Sequence, residues 1–123
     1  FGRLSVGLAT YISHKSNISA EIIEGAPPNL LALRMKHLRL QDRLFHCLLI
    51  NCYLSARGAE KKREVEKTTK YLERLLMKYA NHEVIIAGDL NLRDLGQSHK
   101  MSLVAATFQA LLDQFNLISI KQH

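Results

Sequence analysis

Two polar side chains, Asp89 and Asn91, follow a short apolar run at residues 84–87. The run reads Val-Ile-Ile-Ala, which is typical of a buried β-strand, and Gly88 separates it from the sequence Asp-Leu-Asn. Side chains two residues apart in extended backbone point the same way. We therefore predict that Asp89 and Asn91 face one side at the end of a strand, while Leu90 points into the core.

This pair suits the attack of water on a phosphate ester. An ionised aspartate can orient and deprotonate a water molecule. A neutral asparagine can donate a hydrogen bond to a phosphate oxygen while negative charge develops there. Strand ends are also where open α/β sheets form their sites. The alternative is structural, because Gly, Asp and Asn are all favoured in turns and the same residues can form a simple turn.

Hydrophobic periodicity predicts the elements that would position these residues. We expect strands at residues 4–13, 18–23, 30–38, 44–54, 84–87 and from 117 to 120, with helices at 59–80 and 98–115. The strands at 30–38 and 44–54 are predicted to pair antiparallel. The helix at 59–80 supplies the long crossover that a parallel pairing requires. This order of elements predicts an α/β fold with mixed sheets.

The composition of the chain indicates which class of binding partner to expect. The chain has 17 Lys and Arg against 11 Asp and Glu, a net charge of +6, which favours nucleic acid or another polyanion. No apolar run approaches the ~20 residues of a membrane helix, so we expect no membrane partner. Cys47 and Cys52 lie on opposite faces of one predicted strand and match no metal-ligand spacing. Buried thiols favour an intracellular location, nuclear or cytoplasmic.

The stretch VIIAGDLNLRD resembles the Gly-Asp-(Leu/Phe)-Asn motif of the endonuclease/exonuclease/phosphatase superfamily. That group includes abasic-site endonucleases, deoxyribonuclease I-like enzymes and the endonuclease domains of non-LTR retrotransposons. Two further stretches, SVGLATYIS and LLINCYLSARG, are similar to strands of the same family. The resemblance implies that residues 1–123 form a single partial domain, the central part of a four-layer α/β/β/α sandwich with mixed sheets.

The resemblance also implies a role for each site residue. Asp89 would orient or activate the nucleophilic water, and Asn91 would stabilise the phosphate in the transition state. Tyr53 matches the family's tyrosine near the scissile phosphate, although Tyr is also common at strand ends that pack a core. Arg57 and Arg93 flank the presumed site and are candidate contacts for substrate phosphates.

The same family implies a Mg²⁺ or Mn²⁺ ion, held mainly by a Glu on an earlier strand, and an Asp-His pair near the end of the domain. Glu21 and Glu24 follow the stretch SVGLATYIS, whereas the family's Glu would precede it, and Gln122 precedes His123. We therefore expect the main metal ligand to be absent from this chain. We also expect another chain, or further residues, to complete the fold.

Two functions are consistent with these observations. The first is metal-dependent hydrolysis of phosphodiesters, as a DNA or RNA endonuclease to which this chain supplies the Gly-Asp-Leu-Asn part of the site. The second is a catalytically inactive fragment, or a decayed family member, that acts as a binding or scaffold module in an assembly. A fold supports such reuse because function depends on the site that the fold carries.

Overall fold

The computed structural model describes residues 8–13, 15–16, 18–40, 42–54, 61–92 and 103–120, with the backbone alone at 37–40 and 104. Its elements are β1 (Ser19–Ile22), β2 (Leu30–Leu40), β3 (Arg43–Tyr53), α1 (Lys61–Lys78), β4 (Glu83–Asp89) and α2 (Leu103–Gln114). The chain divides into two compact units. The sheet unit comprises Phe1–Tyr53 and Tyr79–Asp89, and the helix unit comprises Leu54–Lys78 and Leu90–His123.

The sheet unit contains a four-stranded mixed sheet in the order β1-β2-β3-β4. β1 and β3 both pair with β2 in antiparallel register, and β3 pairs with β4 in parallel register. Asp42, with a φ of 66°, turns the chain between β2 and β3 in the left-handed conformation that Asp tolerates. The predicted α/β class, the antiparallel pair and the helical crossover between β3 and β4 are all confirmed.

Both faces of this sheet carry buried side chains, and one of them is open at its edges. One face carries fully buried side chains, among them Ala32, Leu48, Ile50 and Cys52. The opposite face carries an apolar row that crosses all four strands in register and consists of Ile22, Leu33, Leu49 and Ile85. The ends of this row are open, because Ile22 is 63% exposed and Ile85 is 52% exposed.

The helix unit contains α1 and α2, which contact each other. The buried positions of α1 recur at the spacing of one helical face and are Val65, Thr68, Leu72, Leu75 and Leu76. The buried positions of α2 follow the same rule and are Ala105, Phe108, Leu111 and Leu112. These faces confirm the two predicted helices. Neither α1 nor α2 has the length and apolarity that a bilayer crossing requires.

Two predicted strands are wrong for the residues that the structure describes. Residues 8–13 belong to no assigned strand, and residues 4–7 lie outside the described residues. Residues 117–120 are also irregular, with Ile118 and Ile120 almost fully exposed. An apolar, β-branched run becomes a strand only when a neighbouring strand exchanges backbone hydrogen bonds with it. The side-chain amide of Asn51 instead donates to the Ala9 carbonyl at 3.3 Å.

Candidate active site

The carboxyl ends of β3 and β4 bring Tyr53 and Asp89 together. The parallel register pairs Tyr53 with Asp89 and, one position earlier, Cys52 with Gly88. Paired positions on neighbouring strands lie about 4.8 Å apart. Asp89 is exposed and Tyr53 is half-buried. The register therefore places a tyrosine and an aspartate at neighbouring positions at one end of the sheet.

Gly88 allows the close approach of these two strands. Its φ is +129°, a conformation that side-chain-bearing residues rarely adopt. A Cβ atom at this position would lie against the carbonyl oxygen of Cys52 and only 2.9 Å from the Cys52 backbone nitrogen. The residue before Asp89 is thus a glycine because the neighbouring backbone leaves no space for a side chain.

Asn29 holds the Tyr53 backbone from both sides. The Tyr53 amide donates to the Asn29 carbonyl at 2.9 Å, and the Asn29 side-chain nitrogen donates to the Tyr53 carbonyl at 3.0 Å. Asn29 itself lies in a turn in which the Leu30 amide donates to the Pro27 carbonyl at 3.1 Å. Pro and Asn are residues typical of turns, but nothing in the sequence indicated the contact of Asn29 with a residue 24 positions later.

Asn91 does not continue the strand. β4 ends at Asp89, and Asn91 has a φ of 49°, so the predicted extended backbone from Asp89 through Asn91 is wrong. Asn is one of the few residues that occupy the left-handed region readily, because its short side chain hydrogen-bonds locally. In this structure the side-chain nitrogen of Asn91, Nδ2, donates instead to the carbonyl of Leu54, which is 37 positions away in the chain, at 2.6 Å. This bond uses one of the two N–H donors of the carboxamide and sets its orientation.

Lys61 makes a second contact with Asn91 within the helix unit. Its ammonium nitrogen lies 2.6 Å from the Asn91 carbonyl oxygen and donates a hydrogen bond to it. Lys61 lies in α1 and is half-buried. The sequence pattern did not indicate this contact, because the lysines of α1 all resemble cations of a solvated face. The predicted phosphate contacts Arg57 and Arg93 lie outside the described residues.

A different polar cluster occupies the amino ends of β3 and β4. The rings of His46 and His82 lie 5.5 Å apart, and Tyr79 meets His82 edge-on at 5.1 Å. The Arg34 guanidinium lies 5.9 Å from the centre of the Tyr79 ring. Neither ring nitrogen of His82 has a hydrogen-bond partner among the described residues.

Burial and charge both act on the titratable groups of this cluster. Burial, with smaller contributions from Arg34 and His46, lowers the pKa of His82 below its usual value. Burial also raises the pKa of the Cys47 thiol, and the Glu83 carboxylate adds to that effect. The described Cys47 and Cys52 are both buried and form no disulfide, in agreement with the sequence prediction. Both shifts disfavour the charged forms of His82 and Cys47.

The described residues do not fit a complete metal site. They contain no group of three or more His, Cys, Asp or Glu side chains that could hold a metal ion. Mg²⁺ is usually held by one or two carboxylates together with waters and substrate phosphates. Asp89 and Asn91 offer one carboxylate and one amide, so we assign no chemical step to a metal here.

Comparisons with known proteins found no similar protein. The sequence matches no protein-family model and no curated protein, and the structure matches no solved structure. Two observations therefore bear on function: the motif Gly-Asp-Leu-Asn and the pairing of Tyr53 with Asp89 within the sheet unit. Asn91 is associated with these two residues by the motif.

Proposed function

We propose that this chain supplies Asp89, Asn91 and Tyr53 to the hydrolysis of a phosphodiester in nucleic acid. The observation that carries the proposal is the pairing of Tyr53 with Asp89 at the carboxyl ends of two parallel strands. Asn91 follows Asp89 by only two residues in the chain. The net charge of +6 favours a polyanionic substrate, DNA or RNA, over a neutral one.

Each side chain has a role that matches its chemistry. The Asp89 carboxylate accepts a proton from a water molecule whose oxygen attacks the phosphorus. The bond from phosphorus to the leaving oxygen breaks as the new bond forms. The Tyr53 hydroxyl and the Asn91 carboxamide donate hydrogen bonds to phosphate oxygens, where negative charge accumulates in the transition state. Asn91 does this without a negative charge that would repel the substrate.

The remaining parts of the proposal rest on the family resemblance alone. We propose that a Mg²⁺ or Mn²⁺ ion, whose main ligand is not among the described residues, takes part in the reaction and that Arg57 and Arg93 contact substrate phosphates. We also propose that residues 1–123 form a single partial domain of a four-layer α/β/β/α sandwich. An intracellular location, nuclear or cytoplasmic, agrees with the buried, unbridged Cys47 and Cys52.

A nicking assay tests the proposal. The full-length gene product is incubated with supercoiled plasmid and Mg²⁺, and open-circular DNA is measured against time. We expect cleavage by the wild type and a fall of about 10²–10⁴-fold for Asp89→Asn, the range for loss of a general base. Asp113→Asn is the matched control, because Asp113 is an exposed carboxylate on α2. Equal nicking by wild type and Asp89→Asn would refute the role of Asp89.

A second candidate is a binding or scaffold module without catalysis. The apolar row from Ile22 to Ile85, which is open at both ends, favours it, because exposed apolar patches mark interaction surfaces. Another chain or additional residues would then cover this face. In that case the full-length product would not nick DNA, and Ile85→Ser would weaken its self-association or partner binding in sedimentation experiments.

A further inference from the structure

The start of α1 and the residue Asn91 form one hydrogen-bonded group within the helix unit. The Lys61 ammonium donates to the Asn91 carbonyl at 2.6 Å, and the Asn91 carboxamide donates to the Leu54 carbonyl at 2.6 Å. Asn91 is therefore held through its backbone and its side chain at once. Both contacts are partly buried, which strengthens them relative to contacts in open water.

The backbone conformation of Asn91 is locally unfavourable. Its φ of 49° lies in the left-handed region, which few residues other than glycine adopt readily. The Lys61 ammonium donates to the carbonyl of this residue, so a side chain of α1 stabilises that conformation. Departures from local preference that another contact compensates are typical of functional sites.

We propose that Lys61 is a positioning residue of the hydrolytic site and fixes the Asn91 peptide so that its carboxamide keeps one orientation. This inference rests on the proposed function. A carbonyl bonded to an ammonium group cannot rotate without losing a charge-assisted hydrogen bond. Lys61 thus limits the rotation of the backbone that presents the Asn91 amide to the substrate. It acts through Asn91 and does not contact the reacting atoms.

Kinetics of three variants test the role of Lys61. Lys61→Met removes the ammonium and keeps the length of the side chain, Lys61→Arg keeps a cationic donor, and Lys62→Met is the matched control at an exposed neighbour. We expect Lys61→Met to lower kcat about tenfold in plasmid nicking, which corresponds to about 1.4 kcal/mol, with little change in KM. Lys61→Arg should retain most of the activity, and Lys62→Met should match the wild type.

A second readout does not require activity. The ¹³C and ¹⁵N chemical shifts of Asn91 report its backbone conformation and its side-chain amide. They should move in Lys61→Met and stay unchanged in Lys62→Met, while both variants keep a melting temperature close to that of the wild type.

The outcomes separate this inference from the proposed function. If the wild type nicks DNA and Lys61→Met nicks equally fast, the inference falls while the proposed function stands. Equal losses in Lys61→Met and Lys62→Met would also overturn it, since that result would indicate a general charge effect. If neither the wild type nor Asp89→Asn nicks DNA, the proposed function falls. Unchanged Asn91 shifts in Lys61→Met would then overturn the Lys61–Asn91 link itself.

Discussion

The two ends of the parallel pair β3 and β4 are both polar but differ in what their side chains can do. At the amino ends, His46, His82 and Tyr79 pack ring against ring beside a cation, and burial lowers the pKa of His82. At the carboxyl ends, Asp89 is exposed and hydrogen bonds hold the Tyr53 backbone. The two ends therefore differ in accessibility, and only the carboxyl ends combine an exposed carboxylate with a backbone held by hydrogen bonds. The proposed hydrolysis depends on that combination.

Of the substitutions considered, replacement of Gly88 should destabilise the carboxyl ends of β3 and β4 the most. Gly88→Ala would place a methyl group against the Cys52 carbonyl at a φ of +129°, so β4 has to move away from β3. We expect a loss of about 3–5 kcal/mol in the free energy of unfolding, measured by urea denaturation. Gly25→Ala is the control, because Gly25 also has a positive φ, +87°, but no atom lies within 4 Å of the added methyl.

That control should lose only about 1 kcal/mol, because strain without a clash is the smaller penalty. If Gly88→Ala and Gly25→Ala lost equal amounts of unfolding free energy, the close approach of Gly88 to the Cys52 backbone would not contribute to the loss. The rigidity assigned to the carboxyl ends would then be incorrect.

Removing the side-chain hydrogen bond from Asn29 to Tyr53 should have the next largest effect on stability. Asn29→Asp keeps the shape of the side chain but replaces the donor to the Tyr53 carbonyl with a carboxylate oxygen. We expect a loss of about 1–3 kcal/mol in the free energy of unfolding, because the Tyr53 carbonyl loses this donor and faces an acceptor. Asn81→Asp, at an exposed turn position, serves as the control and should be nearly neutral. Equal losses of stability in Asn29→Asp and Asn81→Asp would show that the Asn29–Tyr53 hydrogen bond does not stabilise the fold.

Acidification should weaken the amino ends selectively. The pKa of His82 is lowered by folding, so the folded state binds fewer protons than the unfolded chain, whose histidines titrate near about 6.5. The contribution of His82 is therefore fully present above about pH 6.5 and is lost as the pH falls below that value. Urea unfolding at a series of pH values, compared between wild type and His82→Gln, measures it.

The wild type should lose more stability than His82→Gln on going from neutral to acidic pH. Arg34 and His46 also lower the pKa of His82, so their effect adds to the cost of burial. Parallel pH profiles of the two proteins would show that the environment of His82 does not penalise its protonation.

The smallest expected effect concerns Glu21, whose carboxylate bridges two cations of β2. Its oxygens lie 3.1 Å from the Arg34 guanidinium and 3.5 Å from the Lys36 ammonium, in contacts that solvent reaches. Glu21→Gln should therefore cost only about 0.2–1 kcal/mol of unfolding free energy at neutral pH. It should also steepen the acid dependence of stability, because Arg34 loses its counter-charge beside the histidines. An unchanged pH profile would contradict the second expectation.

Much of the fold was predictable because periodicity reflects burial directly. α1, α2, β3 and β4 show helical or strand spacing along their own residues, and the structure confirms all four as elements. The burial predicted for the strand at residues 84–87 is wrong, because the residues of β4 are half-buried or exposed. The apolar residues at 8–13 and 117–120 have the same composition, but they form no strand in the described structure. Strand formation depends on a partner elsewhere in the chain, and the period of a single segment does not contain that information.

The site was predictable only in part, for the same reason. The motif identified Asp89 and Asn91, and the register of β3 and β4 then placed Tyr53 beside Asp89. The supporting contacts from Asn29 and Lys61 join residues 24 and 30 positions apart, so no local pattern indicates them. The left-handed turn at Asn91 did have a signal, since Gly-Asp-Leu-Asn also reads as a turn.

The most direct test of the account is the nicking rate of Asp89→Asn relative to that of Asp113→Asn. Both variants remove one exposed carboxylate from the same full-length product, so they change the net charge equally. We expect Asp113→Asn to cleave supercoiled plasmid at the wild-type rate and Asp89→Asn to be slower by about 10²-fold or more. Equal rates for the two variants would contradict the claim that the end of β4 is a hydrolytic site.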